Sequence, residues 1–241
     1  YQFGLNPDTE ITQLANQLSK KHLNKIAFIA PENEHGFRIH DSLLKALQAN
    51  QSIIIESVYY NNQKSLSPSV AQLLGTDLST QRKNKIQRIT NLNFEFEPRR
   101  RNDIDAIFML AKPNIASHLF AYHYARNLPI YSSSQIHQVN QQQNDLDNIY
   151  FVEIPWMLSN SIETKNIITK AIPSATNEYS RFYALGTDAF SLSPRLQILR
   201  EIQNSQIQGN TGTLSIDSSG LINRELELAV FKKGKAIAIK E

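Results

Sequence analysis

The stretch Lys25-Ile26-Ala27-Phe28-Ile29-Ala30 (residues 25–30) is a short, uninterrupted apolar run that is followed by Pro31. Runs of this kind are typical of a strand that is covered on both faces, as in parallel sheets. A helical pattern follows over Phe37 to Ala49, and a stretch rich in β-branched residues over Ser52 to Tyr60. The order strand, helix, strand predicts a parallel crossover unit.

The same alternation continues on both sides of this unit. Asp8 or Thr9 can cap a helix that runs to about His22, because apolar residues recur at helical spacing from Ile11. Further strands are predicted at residues 106–110, 128–132 and 149–154, and helices at 116–127, 159–172 and 178–204 with a break near Pro194. Asp217-Ser218-Ser219-Gly220 is a predicted hairpin turn. The sequence therefore predicts an α/β fold with a mostly parallel sheet.

Residues 61–102 interrupt this alternation and are more polar than their surroundings. Val70, Leu73 and Leu74 predict a short helix, and the segment from Thr80 to Leu92 predicts a second, basic one. On the basic helix we expect Ile86 and Ile89 to face inward. The basic side chains that we expect to be exposed are Arg82, Lys83, Lys85 and Arg88.

The amino-acid composition of the chain excludes several classes of function. The chain has 241 residues, of which 41% are hydrophobic, and a formal net charge of +3. This length is enough for a real core, and no stretch approaches the about 18 uninterrupted apolar residues of a membrane span. Cys is absent, which excludes disulfides, thiolate metal sites and a Cys nucleophile. Because the Gly-rich nucleotide motifs and GxSxG are also absent, we predict no catalytic residue, no metal site and no cofactor.

The charged residues allow several interpretations. The six histidines form no HExxH motif and are interpreted as scattered side chains. Asp103 and Asp105 could bind a cation or act as acid and base, or they could pair with the three arginines Arg99, Arg100 and Arg101. A nucleic-acid partner is not predicted, because such proteins carry a larger basic excess with interleaved aromatic residues.

Two further features follow predicted strands. Trp156, the only Trp, either anchors a core or lines a cleft or hinge. The serines at positions 132–134 either donate hydrogen bonds to a ligand or form a turn. Taken alone, these residues favour a binding or interaction role over catalysis.

The order of elements resembles the type I periplasmic-binding-protein fold. The run at 25–29 with Gly36 and the helix after it resembles the first βα unit of that fold's second lobe. The segment Tyr183-Ala184-Leu185-Gly186-Thr187-Asp188-Ala189 resembles the family's helix with a Tyr-Asp-Ala core, except that Thr187 replaces the Tyr of that trio. Residues 207–220 resemble its late Gly-x-x-Gly hairpin.

A narrower resemblance is carried by the segment Phe94-Glu95-Phe96-Glu97-Pro98-Arg99-Arg100-Arg101 and its continuation to Phe108. This segment, together with residues 131–136 and 145–156, resembles the LppC/LpoA family of Gram-negative outer-membrane lipoproteins. The resemblance covers essentially the whole chain. The Phe-Glu-Pro-Arg-Arg-Arg run is specific, since ordinary solute-binding proteins lack it.

This resemblance implies a function. Proteins of the family are anchored by lipid in the outer membrane, face the periplasm and activate penicillin-binding protein 1A, a bifunctional peptidoglycan synthase. They are not enzymes, and peptidoglycan itself is a second candidate partner. The lipid anchor would lie upstream of this chain. The alternative is a periplasmic module that binds a small ligand, such as a cell-wall fragment or an amino acid.

The resemblance also implies a domain organisation. Residues 6–152 and 207–241 would form the second lobe, and residues 1–5 and 153–206 would be crossover segments and returning helices of the first lobe. Most of the first lobe would then be missing from this chain. Helices that normally pack on it would expose apolar side chains, namely Ile162, Ile167, Ile168, Phe182 and Leu185.

A ligand cleft, if the fold keeps one, would be lined by loops at the strand ends. The candidate cleft residues are Glu32, Asn33, Lys112, Ser132, Ser133 and Trp156. The arginine run 99–101 is a candidate surface for a partner, or a structural brace. The segment 61–102 separates the chain from ordinary solute binders, and we expect it to touch the partner.

Overall fold

The computed structural model describes residues 1–93, 95–120, 127–138, 143–160, 162–177, 179–202 and 204–239. The chain packs as two compact units: residues 15–136 form one (the 15–136 unit), and residues 1–14 with 137–241 form the other (the 137–241 unit). The boundary falls inside helix α1 (Pro7–Lys20). These units differ from the lobes that the resemblance implies, and the assignment to lobes stays a prediction.

The 15–136 unit is an α/β layer built on parallel strands. Its elements are β1 (Lys25–Pro31), α2 (Glu34–Ala49), β2 (Ile53–Tyr60), α3 (Gln63–Leu74), α4 (Thr76–Thr90), β3 (Ala106–Met109), α5 (Pro113–Phe120) and β4 (Ile130–Ser132). The strand order is β4-β3-β1-β2, and each neighbouring pair is parallel. The predicted crossover unit β1-α2-β2 is confirmed. The predicted helix at 116–127 is confirmed as far as Phe120, and residues 121–126 lie outside the described residues.

The apolar run at 26–30 is buried throughout and forms the centre of this sheet. Its neighbours are β3 on one side and β2 on the other. Phe28 lies opposite Phe108 in the register, and their rings stack with centroids 5.8 Å apart. The continuous apolar pattern, rather than an alternating one, matches a strand that is buried on both faces.

Gly36 allows helix α2 to start close to the end of β1. The side chain of Asn33 caps the helix by accepting the Gly36 N–H at 2.8 Å. A Cβ atom at position 36 would lie 2.1 Å from the carbonyl oxygen of Pro31, which is impossible without a shift of the backbone. The first βα turn therefore requires Gly.

The 137–241 unit is mostly antiparallel in its strands. Its elements are β5 (Ile149–Glu153), α6 (Pro155–Leu158), α7 (Glu163–Ala171), α8 (Ser180–Leu192), α9 (Leu196–Glu201), β6 (Ile207–Gly209), β7 (Gly212–Ile216), β8 (Ile222–Glu225), β9 (Glu227–Lys232) and β10 (Lys235–Ala238). Strand β9 pairs antiparallel with β5 and with β10, and β6-β7-β8 form a meander. The predicted turn at 217–220 joins β7 to β8, and the predicted break near Pro194 separates α8 from α9, so both predictions are confirmed.

The predicted exposure of apolar side chains on the returning helices holds in part. Ile167 and Phe182 are exposed, whereas Ile162, Ile168 and Leu185 are half-buried. Phe190, which the prediction omitted, is 85% exposed. Among the described helices, none combines the length and the apolar character that crossing a membrane requires.

Candidate functional site

The carboxyl ends of the parallel strands gather most of the candidate cleft residues. Glu32 follows β1 directly, Asn33 caps α2, and Lys112 lies after β3. All three side chains are exposed. Parallel α/β sheets bind ligands at this edge, so the edge is a chemically reasonable place for a small ligand. Whether it binds one stays a prediction.

The serines of this group lie below the surface. Ser132 is 0% exposed, and its hydroxyl donates to the Met109 carbonyl at 2.7 Å. Ser133 is 3% exposed, and its Oγ has no hydrogen-bond partner among the described residues. Residues 134–136 form a 3-10 turn. Of the three serines, Ser132 thus belongs to strand β4 and Ser134 to this turn, and the Ser132 hydroxyl is already used inside the fold.

Trp156 does not line a cleft, and that expectation is wrong. Its side chain is 0% exposed, and the indole Nε1–H donates to Ser180 Oγ at 3.3 Å. Its backbone N–H donates to the Asn210 carbonyl at 3.0 Å. An indole of this size at the start of α6 fills the space against α8, so the core-anchor interpretation is confirmed.

The arginine run has one member that acts as a brace. The Arg101 guanidinium donates to both oxygens of Asp103 at 2.7 Å and to Glu56 Oε2 on strand β2 at 3.0 Å. Its backbone N–H donates to the Leu74 carbonyl at the end of α3 at 2.8 Å. Hydrogen bonds from Arg101 lower the pKa of Asp103 to about 2. Arg101 thus joins the segment before β3 to a strand and to a helix that lie far from it in sequence.

Arg99 and Arg100 behave differently. Arg99 is exposed, and its backbone N–H donates to Ser79 Oγ in α4 at 3.1 Å. Arg100 is half-buried. The three residues therefore do not form one uniform patch, and nothing in the sequence alone distinguishes Arg101 from its neighbours.

Asp103 and Asp105 have separate partners in the fold. Asp103 is held by Arg101, as one interpretation predicted. Asp105 instead accepts the backbone N–H groups of Asn24 and Lys25 at 3.0 and 2.9 Å and so fixes the start of β1. Both carboxylates are engaged in holding the backbone and its neighbours at the amino ends of the strands.

The inward orientation predicted for Ile86 and Ile89 is wrong. Their side chains are 51% and 73% exposed. Helix α4 instead packs through its first turn, where Thr76 and Ser79 are buried. Two isoleucines three residues apart are too few to define a buried face, and small polar residues made the contact instead.

A buried ion cluster in the 137–241 unit escaped the sequence analysis. Glu153 is 1% exposed, and its carboxylate accepts from Arg181 Nε at 3.1 Å and Nη2 at 2.5 Å. His137 Nδ1 lies 2.9 Å from Oε2, the same oxygen that accepts from Arg181 Nη2. Burial alone would raise the pKa of Glu153, but Arg181 and His137 outweigh burial and hold the pKa below its usual value. His137 and Arg181 lie 16 and 28 residues from Glu153 in sequence, so no local motif indicates the cluster.

Asp188, from the helix with the altered Tyr-Asp-Ala core, organises the Gly-x-x-Gly hairpin. It is 0% exposed and accepts the backbone N–H groups of Asn210 and Thr211, each at 2.7 Å. A Cβ at Gly209 would lie 2.6 Å from Asp188 Oδ2, so the hairpin approaches the helix only because that residue is Gly. Thr187 accepts from the Asn210 side chain at 2.9 Å. Both side chains therefore hold the fold.

The histidine side chains that the structure describes do not converge on a metal site. His40 Nε2 lies 3.0 Å from Ser57 Oγ, and His35 Nε2 lies 2.9 Å from Gln135 Nε2. The side chain of His118 and the whole of His123 lie outside the described residues. In the part of the chain that the structure describes, no group of three or more His, Asp or Glu side chains could hold a metal ion.

A cavity of about 620 Å³ lies in the 137–241 unit. His137, Met157, Phe231 and Lys235 contribute to its wall, and so does Lys165, whose pKa is lowered by burial. The Lys165 ammonium donates to the Ser159 carbonyl at 2.8 Å and to Asn160 Oδ1 at 3.2 Å. The cavity was not anticipated from the sequence, because its residues come from separate elements.

Comparison with known sequences gives a consistent result. The model of the LppC lipoprotein family matches residues 1–234. Penicillin-binding protein activator LpoA of Vibrio cholerae serotype O1 is 24% identical over 232 residues, which cover 94% of this chain and 38% of the relative. The protein of the same name from Aliivibrio fischeri is 27% identical over 238 residues, covering 95% of this chain and 39% of that relative. The chain therefore spans less than two fifths of the length of these relatives.

Comparison with solved structures supports the predicted fold. The structure described as the LpoA (YraM) C-domain from Haemophilus influenzae, a regulator of PBP1A, superimposes with a TM-score of 0.70 at 20% identity, covering 98% of this chain and 68% of that one. A branched-chain amino acid ABC transporter protein from Chromobacterium violaceum gives a TM-score of 0.66 at 19% identity, covering 94% and 66%. At these identities the likeness shows the fold, and the expected periplasmic-binding-protein-like α/β fold is confirmed.

We predict that Arg101→Ala loosens α4 while Arg100→Ala does not. The lost ion pairs are half-exposed, so the expected decrease in the free energy of unfolding is at most about 1 kcal/mol. The clearer signal is faster amide hydrogen exchange across residues 76–90, measured by mass spectrometry. Equal exchange in the two variants would show that Arg101 does not brace this segment.

We predict that Arg181→Met destabilises the protein by about 3 kcal/mol at pH 7, because it leaves the buried Glu153 carboxylate without its main counter-charge. In the wild type the pKa of Glu153 is lowered, so the stabilisation is present above its unfolded pKa and is lost as the pH falls through the folded pKa.

In the variant, burial dominates and raises the pKa of Glu153, so protonation relieves the defect. The difference in stability between wild type and variant should therefore shrink from pH 7 to pH 4.5, as measured by urea unfolding. Arg195→Met, at an exposed position, is the control and should change little. A constant difference across this range would contradict the assigned role of Glu153.

Proposed function

The chain belongs to the LppC lipoprotein family, and we propose that it is a non-catalytic module that binds and activates a class A penicillin-binding protein. The observation that carries this proposal is the family match over residues 1–234. It is supported by relatives that carry the name penicillin-binding protein activator LpoA, and by the H. influenzae domain, which is described as a regulator of PBP1A.

The proposal also names a partner and a cellular location. We take the partner to be penicillin-binding protein 1A, a bifunctional peptidoglycan synthase, with peptidoglycan as a further candidate. We place the protein at the outer membrane, held by a lipid anchor and facing the periplasm. The family is one of lipoproteins, which supports an envelope location.

The internal chemistry of the fold agrees with a regulator that acts through its surface. The buried carboxylates of Glu153 and Asp188 accept hydrogen bonds from Arg181, Asn210 and Thr211. The Ser132 hydroxyl donates to a strand carbonyl. Groups that could otherwise do chemistry therefore hold the structure together, which favours recognition by an outer surface.

Binding of a small ligand, the alternative, has less support. It would use Glu32, Asn33 and Lys112 at the strand ends, but the remaining candidate side chains, Ser132, Ser133 and Trp156, are buried. The solute-binding neighbours share the fold at 20% identity or less, and a shared fold at that identity does not imply a shared ligand.

A reconstituted assay tests the proposed function. Purified class A synthase is incubated with lipid II, and glycan polymerisation and peptide crosslinking are measured with and without the natural full-length protein. We expect faster synthesis with the protein than without it. Equal rates of synthesis with and without the protein would contradict the proposed function.

A further inference from the structure

One face of α4 carries apolar and basic side chains together and is exposed. We define the α4 face as Leu78, Arg82, Lys85, Ile86 and Ile89. They share one side of the helix, because 78/82, 82/86 and 85/89 are four residues apart and 82/85 and 86/89 are three apart. Leu78, Ile86 and Ile89 are 54%, 51% and 73% exposed, and Leu92 just beyond the helix is 65% exposed. Single exposed apolar residues need no explanation, but a row of them along one helix marks an interaction surface.

The charge of this face has one sign. Arg82 and Lys85 belong to it, and Lys83 and Arg88 flank it. No ion pair to any of these four residues occurs in the part of the chain that the structure describes. The only carboxylate on α4 is Asp77 in the first turn. The surface that complements this face is therefore acidic around an apolar floor.

The helix is held firmly enough to present this face. Thr76 Oγ1 donates to the Ala71 carbonyl at 3.3 Å, and Ser79 Oγ accepts the Arg99 N–H at 3.1 Å. Arg101 links the following segment to the end of α3 and to β2. A side chain displayed on a fixed helix loses less conformational freedom on binding than one on a loop. The contacts that hold α4 therefore also hold its exposed face in position.

The arrangement of basic and apolar side chains on the α4 face favours one kind of binding partner over the others. Lys85 lies on the α4 face together with Ile86 and Ile89. Insertion of this face into a lipid bilayer would therefore bring the Lys85 charge toward the acyl chains. Two copies of the face would bring like charges together, which disfavours self-association. A protein groove with carboxylates on its rim can pair with the basic side chains while its floor takes the isoleucines.

We propose that the α4 face is the docking surface for an acidic groove on a protein partner. Resting on the proposed function, that groove belongs to the penicillin-binding protein. The arginine run then has a structural reason, because the Arg99 N–H bonds Ser79 on α4 and Arg101 ties the same segment to α3 and β2. This assigns the contact to Leu78, Ile86 and Ile89 with Arg82 and Lys85, and leaves Arg101 as a positioning residue.

Matched variants on one helix test the docking surface. Ile89→Asp places a carboxylate on the α4 face, whereas Asn84→Asp places the same charge on the opposite, exposed side. Both positions are exposed, so circular dichroism and melting temperature should stay as in the wild type. Binding of the natural full-length protein to immobilised synthase is measured by biolayer interferometry at low and moderate salt.

We expect Ile89→Asp to weaken the Kd by about tenfold or more and Asn84→Asp to change it less than about twofold. Wild-type binding should also weaken with salt, as expected for a basic surface. If the wild type binds and Ile89→Asp binds equally well, the docking surface is wrong while the proposed function stands. If the wild type does not bind the synthase, both fail.

Photo-crosslinking identifies the occupant directly. A benzophenone side chain at position 89 should crosslink to the synthase when the two proteins are mixed. Phosphatidylglycerol vesicles are included as a competing target. A product with lipid, with a second copy, or with another segment of the same chain, in place of the synthase product, would overturn the proposal.

Discussion

The Arg101 guanidinium is the contact on which the unusual part of this fold depends. It spans Glu56 on β2 and Asp103 just before β3, while its backbone N–H binds the last turn of α3. Helix α3 packs on the sheet through buried apolar side chains such as Leu66 and Leu73, whereas the segment after α4 reaches β2 through Arg101. The ion pairs are half-exposed, so their contribution lies in fixing position more than in raising global stability. The segment held by Arg101 in turn bonds α4, where Ser79 Oγ accepts the Arg99 N–H at 3.1 Å.

The sheet was predictable, because its determinants are local. A continuous apolar run at 25–30, a Gly-containing helix start and a β-branched stretch require only short-range pattern, and β1, α2 and β2 form as expected. Whether a given side chain is buried or exposed was less predictable. Ile86 and Ile89 are exposed and Trp156 is buried, since each depends on what lies opposite in space. Tertiary contacts decide such cases, and sequence periodicity does not record them.

The same distinction applies to the candidate site. The strand-end residues Glu32, Asn33 and Lys112 lie at the edge that parallel topology dictates. The Glu153–Arg181–His137 cluster and the contacts of Asp188 could not be foreseen, because their partners come from distant segments. Function was indicated by family resemblance and not by any chemical motif. The structure adds that several residues that could otherwise take part in chemistry stabilise the fold instead, which agrees with the proposed recognition through an outer surface.

The most direct measurement is hydroxyl-radical footprinting of the natural full-length protein, alone and bound to the class A synthase. It reports the solvent exposure of individual side chains. If the α4 face is the docking surface, Ile86, Ile89 and the adjacent Leu92 should become protected on binding, while Phe37, which is also exposed, stays reactive. Unchanged reactivity along α4, with protection confined to another surface, would contradict this account.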